Sequence, residues 1–199
     1  DIFVSPELIF KHPIKKDFYT LIEESLNALD SVEVLVYKLF NFKERATYIS
    51  TINKIGQKLM VFELLKLKEL TPYSIFDTII KLSALQEGKT VYGAKFPVHY
   101  KYSEELMNYF KESKILFLIR DPRAIYASDL KKKKKESKSE HYRFKTKYFI
   151  RFFVFFYSIL EWKMSLVVYE KLIRKYSKDR LKLMKYENII FDNKSVVND

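Results

Sequence analysis

The sequence predicts an α/β fold in which helices flank a parallel sheet. Three observations carry that prediction. Strand-like runs at Thr90–Ala94, Ile115–Ile119 and Leu181–Tyr186 are separated by helix-patterned stretches, which implies crossover connections between parallel strands. The run Ile115 to Ile119 is continuously apolar, the pattern of a strand buried on both faces. Arg120 ends it, and Asp121-Pro122 then supplies a helix N-cap and a proline at the first helical position, where its missing N–H costs nothing. A guanidinium therefore stands at the carboxyl end of a strand, where ligands bind in open α/β sheets. The helix start beside it is expected to offer unpaired N–H groups and a positive dipole end, both suited to an anion.

The other elements follow from pattern and punctuation. Asp1 to Phe10 reads as extended or loop-like, and His12-Pro13 stops any continuation. Phe18, Leu21, Ile22, Leu26 and Leu29 form a helical stripe within Lys16–Leu29. Leu35 to Leu70 reads as two or three helices broken at Gly56. Thr71-Pro72 opens a further helix whose face is Ile75, Ile79, Leu82 and Leu85, with Gly88 past its end. Ser103-Glu104-Glu105 starts another, an N-cap with two acids in the first turn and Leu106, Tyr109 and Phe110 as its apolar positions. The run Lys131–Lys135 with Lys138 reads as a solvated, charge-rich loop, or as a grip on a polyanionic acceptor such as an acidic glycan. A long helix is expected from beyond His141 to about Tyr176, with its phenylalanine-rich first half (Phe149 to Tyr157) largely buried. Exposed instead, that cluster would suit a membrane or a lipid acceptor.

Composition narrows the chemistry. At 199 residues, 48% hydrophobic and 17% aromatic, the chain can build a sizeable core and is far from disordered composition. It has no cysteine, which excludes disulfides, thiolate metal sites and a cysteine nucleophile. Its three histidines, His12, His99 and His141, are dispersed, so no metal site is expected. No stretch of 18 uninterrupted apolar residues occurs, and no transmembrane segment or signal peptide is expected. The net charge of +12 favours an anionic partner. Nucleic acid is not expected, because no recognised nucleic-acid module accompanies the basic residues.

Arg120-Asp121-Pro122-Arg123, with Ser128 eight residues beyond the first arginine, resembles the strand–helix junction of sulfotransferases that use 3'-phosphoadenosine 5'-phosphosulfate (PAPS). Three more segments match in order. Tyr92-Gly93-Ala94-Lys95-Phe96-Pro97 resembles that family's Gly-x-Lys-x-Pro strand end, Trp162 its late tryptophan helix, and Tyr186-Glu187-Asn188-Ile189 its Tyr-Glu-Asp-Leu strand end. Asp1 to Phe10, with Glu7, resembles the segment just after the family's phosphosulfate loop. The resemblance implies a three-layer, P-loop-type parallel sheet flanked by helices, with a helix-rich insertion. It implies that Arg120 and Ser128 bind the 3'-phosphate of PAPS, since a guanidinium forks two phosphate oxygens and a hydroxyl adds a third contact. Lys95 would neutralise the bridging or sulfonyl oxygens during transfer, and Tyr186 would pack near the adenine. Glu7 would serve as general base towards the acceptor, with His99 as its rival.

The expected function is transfer of a sulfuryl group from PAPS to a hydroxyl or amine acceptor, such as a glycan or lipid, without a metal. The alternatives are a non-catalytic basic protein that binds a polyanion or membrane surface, and a P-loop nucleotide kinase. No phosphate-cradling Gly-x-x-x-x-Gly-Lys-Ser/Thr or similar basic Gly/Ser loop occurs, so residues 1–199 are expected to be one sulfotransferase-like domain incomplete at its N-terminus and at its C-terminus. By themselves they are expected to be inactive. A cytoplasmic location is expected, with peripheral membrane association or an anchor upstream as the variants.

Overall fold

The computed structural model of the chain describes residues 2–5, 17–42, 55–95, 97–136 and 144–191. Two units are present, Asp1–Tyr102 and Ser103–Asp199. Each holds a pair of parallel strands and the helices that follow from its sequence.

In the first unit, β1 (Ile2–Ser5) lies parallel to β2 (Val91–Ala94), with Ile2 opposite Val91 and Ser5 opposite Ala94. The sequence marked Ile2–Ser5 only as extended or loop-like; a four-residue strand has too short a pattern to announce its partner. Between the strands come α1 (Phe18–Asn27), α2 (Val32–Phe40), α3 (Gln57–Leu65) and α4 (Pro72–Gln86). Asp17 caps α1 by accepting from the Thr20 N–H at 2.8 Å. The core of this unit is Phe18, Ile22, Leu35, Leu39, Met60 and Ile79 with their neighbours, all buried. Each such side chain contributes roughly 1.5–3 kcal/mol relative to an exposed one.

Helix α4 carries strong signals at both ends. Thr71 accepts from the Ser74 N–H at 3.1 Å, while Ser74 Oγ accepts from the Thr71 N–H at 2.9 Å, a reciprocal capping box. At the other end the Lys89 N–H donates to the Ala84 carbonyl at 2.9 Å and the Gly88 N–H to Leu85 at 3.0 Å. This is a Schellman stop, and it needs φ +67° at Gly88, a conformation a side chain would strain. Ile75, Ile79 and Leu82 are buried as expected, but Leu85 is exposed. The buried face turns instead through Phe76, Ile80 and Ala84. A 3₁₀ turn, Pro97–Tyr102, follows β2.

The second unit contains α5 (Ser103–Tyr109), β3 (Ile115–Ile119), α6 (Pro122–Glu136), α7 (Phe144–Lys175), β4 (Leu181–Lys185) and α8 (Tyr186–Phe191). Strands β3 and β4 are parallel, with Ile115 opposite Leu181 and Ile119 opposite Lys185. The fold is therefore α/β with parallel strands joined through helices, as the spacing predicts.

Four expectations need correction here. Strand β3 is not buried on both faces: Phe117 is buried, but Leu116 and Leu118 are 57% and 51% exposed. An uninterrupted apolar run says that a strand can be covered twice, not that it is. Residues 131–135 are not a loop, because α6 continues through them to Glu136; lysine is a good helix former, and no glycine or proline interrupts the run. The last strand ends at Lys185, and Tyr186 already begins α8.

The fourth correction concerns the first half of α7, which is not core. Phe149 is 70% and Phe152 62% exposed, and Phe153, Phe155 and Phe156 are exposed too, while Val154 and Ser158 are buried. One narrow stripe meets α6, through the Tyr126–Phe155 ring contact at 5.5 Å and the Ser158 hydroxyl donating to Asp129 at 3.2 Å. Arg151–Lys175, whose most apolar 18-residue window has mean hydropathy 1.4, is also long and apolar enough to cross a membrane by length and composition.

Candidate functional site

The junction between β3 and α6 is built as its residues dictate. Asp121 caps the helix: its Oδ1 accepts from the Arg123 N–H at 2.8 Å, and its carbonyl accepts from Ala124 and Ile125 at 3.0 and 3.1 Å. Pro122 stands at the first helical position. The first-turn N–H groups are thus already satisfied by Asp121, and a carboxylate occupies the positive end of the helix. The helix start is not the anion site that the sequence suggested.

The two arginines of the junction have different fates. Arg123 is neutralised by Asp121, donating through Nε at 3.0 Å and Nη2 at 2.5 Å. That pairing, with the backbone bond, holds the Asp121 carboxyl down at about 2. Arg120 has no acid within ion-pair distance among the described residues; its guanidinium lies 4.8 Å from the centre of the Tyr186 ring. Stacking of this kind fixes the plane of a guanidinium and leaves its N–H donors free for a ligand.

Tyr186 and Glu187 make the seat for Arg120. They follow β4 directly, so the register that sets Ile119 beside Lys185 carries them alongside Arg120 and Asp121. The Asp121 N–H donates to Glu187 Oε1 at 3.0 Å. This bond, more than any other influence, lowers the Glu187 carboxyl below its ordinary value. Sequence reading placed Tyr186 near the adenine and gave Glu187 no role. The signal was available in the matched lengths of two parallel strands that end at consecutive functional residues.

Ser128 lies in α6, exposed and without a hydrogen bond among the described residues. Six residues of helix set it about 9 Å along the axis from Pro122. A guanidinium over a ring and an exposed hydroxyl are each groups that suit a phosphate monoester. The residues present fit the 3'-phosphate group.

Lys95 belongs to the first unit. It follows β2 immediately, is exposed, and has no acid within ion-pair distance among the described residues. His99 lies in the 3₁₀ turn with its ring 6.4 Å from that of Phe76, edge to face, and burial pushes its pKa down to about 4. Trp162 lies in α7 with its indole N–H buried and no acceptor for it among the described residues. Glu7 lies outside the described residues, as do His12, Phe96, Lys138 and His141.

Parallel strands joined through helices, with an arginine at a strand end, define an α/β chain. A model of the sulfotransferase family matches residues 36–199, most of the sequence. The chain belongs to the sulfotransferase family. No curated protein and no solved structure matches it.

Proposed function

We propose that the chain transfers a sulfuryl group from PAPS to a hydroxyl or amine acceptor, with Arg120 and Ser128 holding the 3'-phosphate. One observation carries the reading: of the two arginines at the junction, Arg123 is neutralised by Asp121 while Arg120 is stacked on Tyr186 with its donors open. When bound, PAPS supplies an activated sulfuryl group. Arg120 would grip two phosphate oxygens through its fork, and the Ser128 hydroxyl would donate to a third. The Lys95 ammonium would meet the negative charge that grows on the leaving phosphate, as in phosphoryl transfer. Glu7 would accept the acceptor's proton. These four roles follow the family resemblance of their segments, and within that reading residues 1–199 belong to one sulfotransferase domain.

Calorimetry with adenosine 3',5'-bisphosphate, which has the 3'-phosphate but no sulfuryl group, tests the phosphate site. Arg120→Ala is expected to weaken binding about 100-fold, since charge-assisted bonds to phosphate are worth roughly 1.5–3 kcal/mol each. Ser128→Ala should cost less, about tenfold. Unchanged affinity in Arg120→Ala would overturn the assignment.

A further inference from the structure

We propose that Asp77 is a positioning residue for Lys95, acting through the Tyr92 hydroxyl; this inference rests on the role given to Lys95 above. The pairing of β1 with β2 ends at Ser5 opposite Ala94, one residue short of Lys95. Among the described residues the ladder does not reach Lys95, and α4 makes contacts on both sides of it. Three residues before Lys95, the Tyr92 hydroxyl donates to Asp77 Oδ1 at 3.2 Å, with Oδ2 at 3.5 Å. Four residues after it, the His99 ring packs edge to face on Phe76 at 6.4 Å. Phe76 and Asp77 are consecutive residues of one helix whose face through Ile75, Phe76 and Ile79 is buried. A rigid element thus grips the Tyr92–His99 segment at two points with Lys95 between them.

The choice of an acid at position 77 is costly for packing alone. Burial raises the Asp77 carboxyl above its ordinary value, opposed by the Tyr92 bond and by Lys81 one turn along. Burial, with the Asp77 charge beside it, pushes Tyr92 up to about 12, so the phenol stays protonated and remains the donor. A half-buried acid engaged by one tyrosine is a poor way to fill space. It is an effective way to fix the height and tilt of a strand end, and misplacing a transfer group by about 1 Å can cost on the order of 100-fold in rate.

The test reads Lys95 directly and needs no known acceptor. Reductive methylation of lysines in the full chain, followed residue by residue by mass spectrometry, is run with and without PAPS, and again with adenosine 3',5'-bisphosphate. In the wild-type protein PAPS should protect Lys95 several-fold and the bisphosphate much less. Asp77→Ala and Tyr92→Phe should each lose that protection while keeping their affinity for the bisphosphate, and the double variant should lose no more than either alone. Asp77→Asn, which keeps an acceptor for the phenol, should retain most of it. Full protection in both Asp77→Ala and Tyr92→Phe would overturn the positioning role and leave the Lys95 role standing. Loss of protection together with loss of bisphosphate affinity in Tyr92→Phe would make the contact merely structural, again overturning the inference. Absence of protection in the wild type would remove the Lys95 role and the inference with it.

Discussion

His99 combines an ordinary residue with an unusual cost. Its imidazole is pushed down to about 4 by burial from an ordinary value of 6.5. Because the folded-state pKa is the lower one, the unfolded chain takes up the proton first as pH falls. Stability is therefore full above about 6.5 and is lost as pH falls towards 4, by up to roughly 3 kcal/mol. Urea midpoints at pH 7 and pH 4.5 should show this loss in the wild type, and His99→Gln should show a smaller one. Equal losses in the two proteins would mean that the imidazole is charged when folded. At the same scale the sequence was a good guide to Arg120, Asp121 and Pro122, because each has a local reason to stand where it does. It could not separate the two arginines. Which of them lies against a ring depends on where Tyr186 arrives, and that is a long-range fact.

Among the elements, α5 shows how a short helix is held by residues distant in sequence. Arg180 donates through Nε to the Ser113 carbonyl at 3.0 Å and through Nη2 to the Phe110 and Met107 carbonyls at 2.9 and 3.2 Å. It thus satisfies backbone acceptors in and just past the last turn of a helix only seven residues long, with the charge sign that the dipole favours. At the front of α5, Glu104 meets Lys171 and Lys175 at 2.7 and 2.5 Å, and these bonds hold its carboxyl at about 2. Arg180→Ala should destabilise by about 2 kcal/mol in denaturant unfolding. Arg180→Lys should recover only part of that, since an ammonium cannot fork two carbonyls. An unchanged midpoint in the alanine variant would show the carbonyls equally well served by water. Strands β2, β3 and β4 and the ends of α4 were legible, because capping residues, proline and glycine report local backbone chemistry. The burial of β3 and of the first half of α7 was not. Apolarity records what an element tolerates, and the neighbours that would cover it are set elsewhere.

At the scale of the molecule, the charge is unevenly divided. Residues 103–199 hold 23 Lys and Arg against 13 Asp and Glu, whereas residues 1–102 hold 14 against 12. The half that contains Arg120 and Ser128 therefore carries most of the positive field. Such a field steers an anionic cosubstrate over distances of a Debye length, about 10 Å at 0.1 M salt. Raising sodium chloride from about 0.05 to about 0.5 M should weaken adenosine 3',5'-bisphosphate binding about tenfold, chiefly through a slower association rate in stopped flow. A salt-independent association rate would confine the electrostatics to the contacts themselves. Net charge at this scale favours an anionic partner without choosing among kinds of anion; the family came from a few short segments in order, and the family model bears it out over residues 36–199.

The bond from the Asp121 N–H to Glu187 joins residues 66 apart in sequence. A chain leaves the ribosome at roughly 5–20 residues per second. Arg120 therefore waits about 3–13 s for the ring that will orient it, at those rates of synthesis. In that interval the Arg120 guanidinium has already been made but its aromatic platform has not. The junction of Arg120 and Asp121 with Tyr186 and Glu187 is in this sense timed by translation, and it can form only in a nascent chain that has been extended through Glu187.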